Sequence, residues 1–309
     1  MKGTVMRNTV IPFSILAIVL LGSCSWSSIS GTAIVLGVSD YGIPGLNLNY
    51  CDDDAEDVAA LFAAQGYTVH KFVDTQATRE NLELAIHEAD ATKPVIVYYS
   101  GHGIDPLTTP QDITKNFYIL PFGSITLSGS TIEYHSEKMI SLADIQKVVD
   151  EHSIIHCILI LDACFSGGFV TNLRGASAIP EDYDPILTEG LISYAAMADT
   201  AAQKFFTYSG NITLTVIAAS GSLEESFESS AYENGVFTEF FVDSVTGPQS
   251  DADRDGDGYI TTSEVYLYVA RCLNLWWNST LQAQANTEQI YLPHISDNPR
   301  EYILFKINK

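Results

Sequence analysis

The stretch Ile158-Leu159-Ile160-Leu161-Asp162-Ala163-Cys164-Phe165-Ser166-Gly167-Gly168 decides the fold. It opens as a run of branched apolar residues, the pattern of a strand buried on both faces of a parallel sheet. It then breaks into Ser-Gly-Gly, which reads as a turn. Cys164 therefore stands just past the carboxyl end of a central strand, where open α/β sheets place their ligands. A second stretch has the same design: Val95-Ile96-Val97-Tyr98-Tyr99 runs into Ser100-Gly101-His102-Gly103. Two such strands, side by side, would bring an imidazole and a thiol together at one sheet edge.

That pairing has a chemical use. An ordinary cysteine is mostly protonated at neutral pH, and the thiolate is the nucleophile. A nearby imidazole takes the proton and later returns one to a leaving amine. Backbone N–H groups in a glycine-rich turn hold the oxyanion of an acyl-transfer intermediate.

Ser100-Gly101-His102-Gly103 and Asp162-Ala163-Cys164-Phe165-Ser166-Gly167 resemble the His and Cys motifs of the caspase-like cysteine peptidases, closest to the metacaspase and bacterial branch. Caspases proper carry Q-A-C-x-G, and Asp162 stands here where that Gln would be. The resemblance covers about Gly31 to Gly247. It implies a caspase-like three-layer α/β sandwich, with a mostly parallel central sheet and helices on both faces. It also implies a cysteine endopeptidase with Cys164 as nucleophile and His102 as general base and acid. The backbone N–H groups of Gly103 and Cys164 are the implied oxyanion donors. Asp54-Ala55 resembles the Asp-Ala after the first strand of metacaspases, where the Asp helps form an acidic pocket. Asp162, two residues before the nucleophile, is its expected partner, so that the pair would select Arg or Lys before the scissile bond. Arg174 then becomes a candidate self-cleavage site.

Upstream, Thr32 to Val38 reads as a strand, followed by a Gly/Pro/Asn loop. Val58, Leu61 and Phe62 mark one face of a helix whose amino end carries Asp52, Asp53 and Asp54; for the first two the reading is helix-terminal stabilisation. Tyr67 to Val73 is a second strand. Asn81 to Ala91 shows the i, i+3, i+4, i+7 spacing of an amphipathic helix in Leu82, Ala85, Ile86 and Ala89. Phe117 to Leu120 is a short strand, and His135 reads as a surface residue. Ser141 with Asp144 resembles a capping box opening a helix that carries Leu142, Ile145 and Val149. The resulting order, β-α-β-α-β-(β)-α-β, is that of a mostly parallel sheet covered on both sides.

Downstream, Leu214 to Ala219 is another apolar strand, and Val236 to Val245 a helix. Asp253-Arg254-Asp255-Gly256-Asp257-Gly258-Tyr259-Ile260-Thr261-Thr262-Ser263-Glu264 fits the twelve-residue EF-hand loop. Asp253, Asp255, Asp257 and Glu264 supply carboxylates and Tyr259 a backbone carbonyl for Ca²⁺. No second loop occurs, so the expected role is a structural staple for the following helix, with Val265, Tyr268, Val269 and Cys272 on one face. The remainder, Trp276 to Lys309, shows only a final strand, Tyr302 to Phe305.

The amino end has a different character. Lys2 and Arg7 precede the apolar run Val10 to Leu21, which is too short for the ~20 residues of a membrane span and has the pattern of a secretory signal. Leu21-Gly22-Ser23-Cys24 resembles the lipobox of bacterial lipoproteins, which implies lipidation at Cys24, export, and membrane attachment through the lipid alone. The expected organisation is residues 1–23 signal, 24–30 tether, 31–247 peptidase domain, and 248–309 calcium loop, helix and tail.

The net charge of −23 argues against nucleic-acid partners and favours cations, whether metal ions or basic peptides. Cys24, Cys51, Cys157, Cys164 and Cys272 show no disulfide spacing; Cys157 and Cys272 read as core hydrophobes. A competing reading keeps the fold and the Ca²⁺ loop but no catalysis, as a surface module for adhesion or scaffolding. The intact His–Cys pair argues against it.

Overall fold

A computed structural model of the chain describes residues 29–104, 116–164, 166, 213–221, 225–247, 251–275, 291–296 and 301–307. The expected signal segment, Cys24 and Arg174 lie outside the described residues.

The apolar runs form the sheet. Strands β1 (Thr32–Gly37), β2 (Thr68–Val73), β3 (Val95–Ser100), β8 (His156–Asp162) and β9 (Thr213–Ala218) are mutually parallel, and β13 (His294–Ile295) joins the edge antiparallel to β9. The order across the sheet is β13-β9-β8-β3-β1-β2. Alternation along each strand feeds two cores. Ile34, Leu36, Val97, Tyr99, Leu159 and Leu161 face one side. There they meet helices α2 (Arg79–Glu88) and α3 (Leu142–Glu151). Ala33, Val35, Ile96, Tyr98, Ile158 and Ile160 face the other, with α1 (Cys51–Ala64), α4 (Val236–Thr246) and α5 (Thr262–Cys272). This is the expected three-layer sandwich.

Local chemistry sets the helix ends. Ser141 Oγ accepts the Asp144 N–H and the Asp144 carboxylate accepts the Ser141 N–H, the capping box expected from sequence. Helix α2 stops at Glu88, three residues before the expected Ala91, because Ala89 turns to extended backbone. Helix α1 has no side-chain cap of its own at Tyr50.

The stretch around His135 folds as a hairpin of β6 (Ile125–Ser128) and β7 (Thr131–Tyr134), joined through Gly129 at φ +66°. The strand expected over Phe117 to Leu120 is the short β5 (Tyr118–Ile119), paired antiparallel with β4 (Gly103–Ile104) just beyond His102. Strands β10 (Glu228–Ser229) and β11 (Asn234–Gly235) form a small hairpin before α4. Strand β12 (Tyr259–Thr261), in the acidic loop, pairs antiparallel with β14 (Ile303–Lys306). Ile260, Val265, Leu304 and Phe305 pack into the same core as α1 and α4. No helix among the described residues is long and apolar enough to cross a membrane.

Candidate active site

Register places the two motifs. Gly37 pairs with Ser100, and Ser100 with Asp162, so three neighbouring strands reach their carboxyl ends in one row. His102 and Cys164 each stand two residues beyond that row. They line one cleft, together with Asp54, Asp162, Ser226, Glu228 and Gly235. Gly103 marks how closely the two turns approach: a Cβ there would lie 2.0 Å from the carbonyl oxygen of Cys164. No residue larger than glycine fits that contact.

His102 is held at three points. Its Nε2 lies 2.7 Å from the Leu46 carbonyl oxygen. A carbonyl only accepts, so Nε2 carries the proton and Nδ1 keeps its lone pair. The backbone N–H of His102 donates to the Tyr41 hydroxyl at 2.9 Å. Tyr99 donates its hydroxyl to the His102 carbonyl at 3.0 Å. Tyr41 also donates to the Leu120 carbonyl at 3.0 Å, and its ring lies 4.8 Å from the imidazole between centroids. Burial pushes the His102 pKa down, partly offset by the Leu46 bond and the Glu228 charge. Desolvation disfavours the imidazolium, so the ring rests neutral.

Cys164 is half-buried, and its thiol points to the Ser226 carbonyl at 3.9 Å. Burial pushes its pKa up to about 11. The resting pair is thus a neutral thiol and a neutral imidazole, not an ion pair.

Asp54 is fully buried and Asp162 is 5% exposed. Asp54 accepts the Ser100 hydroxyl at 2.6 Å and the Gly235 N–H at 2.7 Å. Asp162 accepts the Thr238 hydroxyl at 2.7 Å and the Ser226 hydroxyl on its other oxygen. A Cβ on Gly235 would lie 2.4 Å from an Asp162 oxygen and 2.9 Å from an Asp54 oxygen, so the β11 backbone rests against both carboxylates. Burial and then the Asp162 charge raise the Asp54 pKa well above the usual carboxylate range. Burial raises Asp162 to about 6, against the lowering by its Ser226 and Thr238 bonds. Asp162 thus lines the cleft with hydrogen bonds on both carboxylate oxygens.

The remaining predicted residues lie elsewhere. The carboxylates of Asp253, Asp255 and Asp257 come within 4.8 Å of one another in the loop before α5. Glu264 Oε1 accepts the Arg254 N–H at 2.9 Å and Oε2 accepts the Thr261 N–H at 2.9 Å, closing that loop across its two ends. Cys157 is buried and Cys272 half-buried. Cys51 lines the cleft, its thiol 3.6 Å from Glu228 Oε1. Sequence reasoning missed Tyr41, Leu46, Ser226, Glu228 and Thr238. Tyr41 and Leu46 are ordinary loop residues in sequence, and the other three are brought in from far along the chain.

Solved structures share the architecture. A crystal structure of a Geobacter sulfurreducens protein matches with a TM-score of 0.52 at 17% identity, covering 90% of this chain and 99% of its own. Caspase-1 from Spodoptera frugiperda matches with a TM-score of 0.50 at 10% identity, covering 91% of each chain. At such identities the likeness concerns the fold. No curated protein matches the chain. The family model for the caspase domain matches residues 30–266, which takes in both motifs, the whole parallel core and the acidic loop: the chain belongs to the caspase-domain family, with its cysteine-peptidase-like fold.

Proposed function

We propose that the protein is a cysteine endopeptidase working through a His102–Cys164 dyad. The observation that supports it most is the matched position of the two residues, each two beyond the paired Ser100 and Asp162 and both lining one cleft. With Nε2–H bound to Leu46, Nδ1 takes the thiol proton as sulfur attacks the scissile carbonyl carbon. A C–S bond forms and the carbonyl π pair moves to oxygen, where the N–H groups of Gly103 and Cys164 receive it. Collapse breaks the C–N bond, and His102 returns the proton to the departing amine. Water, deprotonated by the same imidazole, then adds to the thioester carbon; the C–S bond breaks, the acid product leaves, and the imidazolium returns its proton to the Cys164 sulfur. A thiol-reactive peptidyl probe tests the reading: it labels the wild type and not Cys164→Ala. Absence of labelling in both favours the silent surface module.

Asp54 and Asp162 are the proposed recognition pair for an Arg or Lys side chain. A buried carboxylate pairs strongly with a guanidinium and strands its charge against a neutral one. The loop Asp253–Glu264 is a proposed Ca²⁺ site, supported by its twelve-residue spacing and its three convergent carboxylates. The ion would be held by Asp253, Asp255, Asp257, the Tyr259 carbonyl and Glu264, and its contribution is to tie the head of α5 to β14. Export and lipid attachment at Cys24 are proposed from the sequence Leu21-Gly22-Ser23-Cys24 alone; mass spectrometry of the mature amino terminus tests them.

A further inference from the structure

One short segment of the cleft wall, 226–228, touches Cys164, Asp162 and the loop that carries Leu46. The Ser226 carbonyl faces the Cys164 thiol, and the Ser226 hydroxyl donates to Asp162. Two residues on, the Glu228 carboxylate reaches the loop between β1 and α1. It accepts the Asn49 N–H at 3.0 Å, the Asn49 Nδ2 at 3.0 Å and the Tyr50 N–H at 2.9 Å. Two of these are backbone donors at the amino end of α1, which has no side-chain cap of its own.

The same loop carries Leu46, the acceptor for His102. At its amino end the loop is fixed by Asp74, whose Oδ1 accepts the N–H of Ser39 at 2.9 Å and of Asp40 at 2.8 Å. Inside it, Asp40 Oδ1 accepts Gly42 N–H and Asn47 Nδ2, both at 2.8 Å. Its carboxyl end is held by Glu228, a residue 179 positions from Asn49.

We propose that Glu228 is a positioning residue: it fixes the loop that carries Leu46, and through the Leu46 carbonyl it sets the orientation of the His102 ring, so that what occupies the cleft wall is felt by the general base. The proposal rests on the dyad reading above. Glu228 acts in two ways. Its contacts with Asn49 and Tyr50 hold the loop, and its negative charge favours the imidazolium. The other ionisable groups about His102 are Tyr41 and Tyr99, in contact with it, and Cys51, Asp54, Asp162 and Cys164, which line the same cleft.

The test is the titration of the His102 imidazole by NMR beside peptide turnover, in the full chain. Glu228→Gln removes the charge and one acceptor. Its His102 pKa is expected to fall, with kcat down about tenfold and KM changed by less than about threefold. Glu228→Asp, which keeps the charge, is expected to recover most of both. Should Glu228→Gln not fold, Asn49→Ala, which deletes one donor to the carboxylate, is expected to move the same two readouts in part. A lower melting temperature with His102 titration and kcat unchanged would overturn the proposal and leave Glu228 as a cap for α1. A wild type without turnover, whose imidazole still responds to Glu228→Gln, would sink the peptidase reading and keep the coupling.

Discussion

The His102 imidazole donates its Nε2–H to the carbonyl of Leu46, 56 residues earlier in the chain, at 2.7 Å. That contact selects the tautomer and leaves Nδ1 as the only ring nitrogen able to take a proton. Tyr41 and Tyr99 fix the backbone of the same residue on both sides. The imidazole and its backbone are therefore held directly by a loop carbonyl and two tyrosine hydroxyls.

From this placement, Cys164→Ala and His102→Ala are each expected to lower kcat/KM by about a thousandfold or more. Neither side chain is a main element of the two cores. Circular dichroism and thermal melting are expected to stay close to wild type. Near wild-type turnover in either variant would refute the dyad.

The resting protonation state has a pH signature. Burial holds His102 below its ordinary 6.5, so the acidic limb of kcat/KM is expected to fall below pH 6.5. The thiol, pushed up to about 11, is expected to react slowly with iodoacetamide at neutral pH in the absence of substrate, the rate climbing through the alkaline range. Fast alkylation at pH 6 would show a resting thiolate and contradict the neutral pair.

The acidic pair couples specificity to stability. The folded-state pKa of Asp162, about 6, is above its ordinary 3.8. The folded state thus binds its proton more tightly than the unfolded chain does. That contribution to stability is complete below about pH 3.8 and is lost as pH rises through about 6. The melting-temperature advantage of wild type over Asp162→Asn is therefore expected to be larger at pH 5 than at pH 7.5. Ionisation of Asp162 over the same range is expected to lower KM for a fluorogenic Arg substrate. Asp162→Asn is expected to cut kcat/KM for that substrate about a hundredfold at pH 7.5. Faster cleavage after Asp than after Arg would remove the acidic-pocket assignment.

Calcium is expected to raise the melting temperature, since a ligand bound only by the folded state stabilises it by mass action. Glu264→Ala is expected to abolish most of that rise. It is also expected to lower melting in chelator, because Glu264 already binds the N–H groups of Arg254 and Thr261. Equal melting of the wild type in calcium and in chelator would argue against a site in this loop.

Much of the fold is readable from local order in the chain. Unbroken branched runs require strands buried on both faces, and the strands formed at β1, β3, β8 and β9 where those runs stand. Ser141 and Asp144 are three residues apart, so a capping box needs no help from distant parts of the molecule. The same holds for the acidic loop, whose three carboxylates converge through a turn of their own backbone. The turn after each strand end likewise made His102 and Cys164 visible as a pair.

What the sequence could not show is which distant groups meet them. The hydrogen bonds to Asp54 come from Ser100 and Gly235, those to Asp162 from Ser226 and Thr238. Glu228 sits against Asn49 across 179 residues of chain. None of these partners has a spacing or a composition of its own; a hydroxyl, a glycine N–H or a carbonyl becomes part of the site only when packing removes water and leaves it as the available partner. The antiparallel edge strand β13 and the pairing of β12 with β14 are of the same kind, because a strand of two to four residues takes its identity from the neighbour that satisfies its backbone. Local periodicity thus specified the layers and the strand ends, and tertiary packing decided the tautomer of His102, the upward pKa shift of the buried acidic pair and the wall of the cleft.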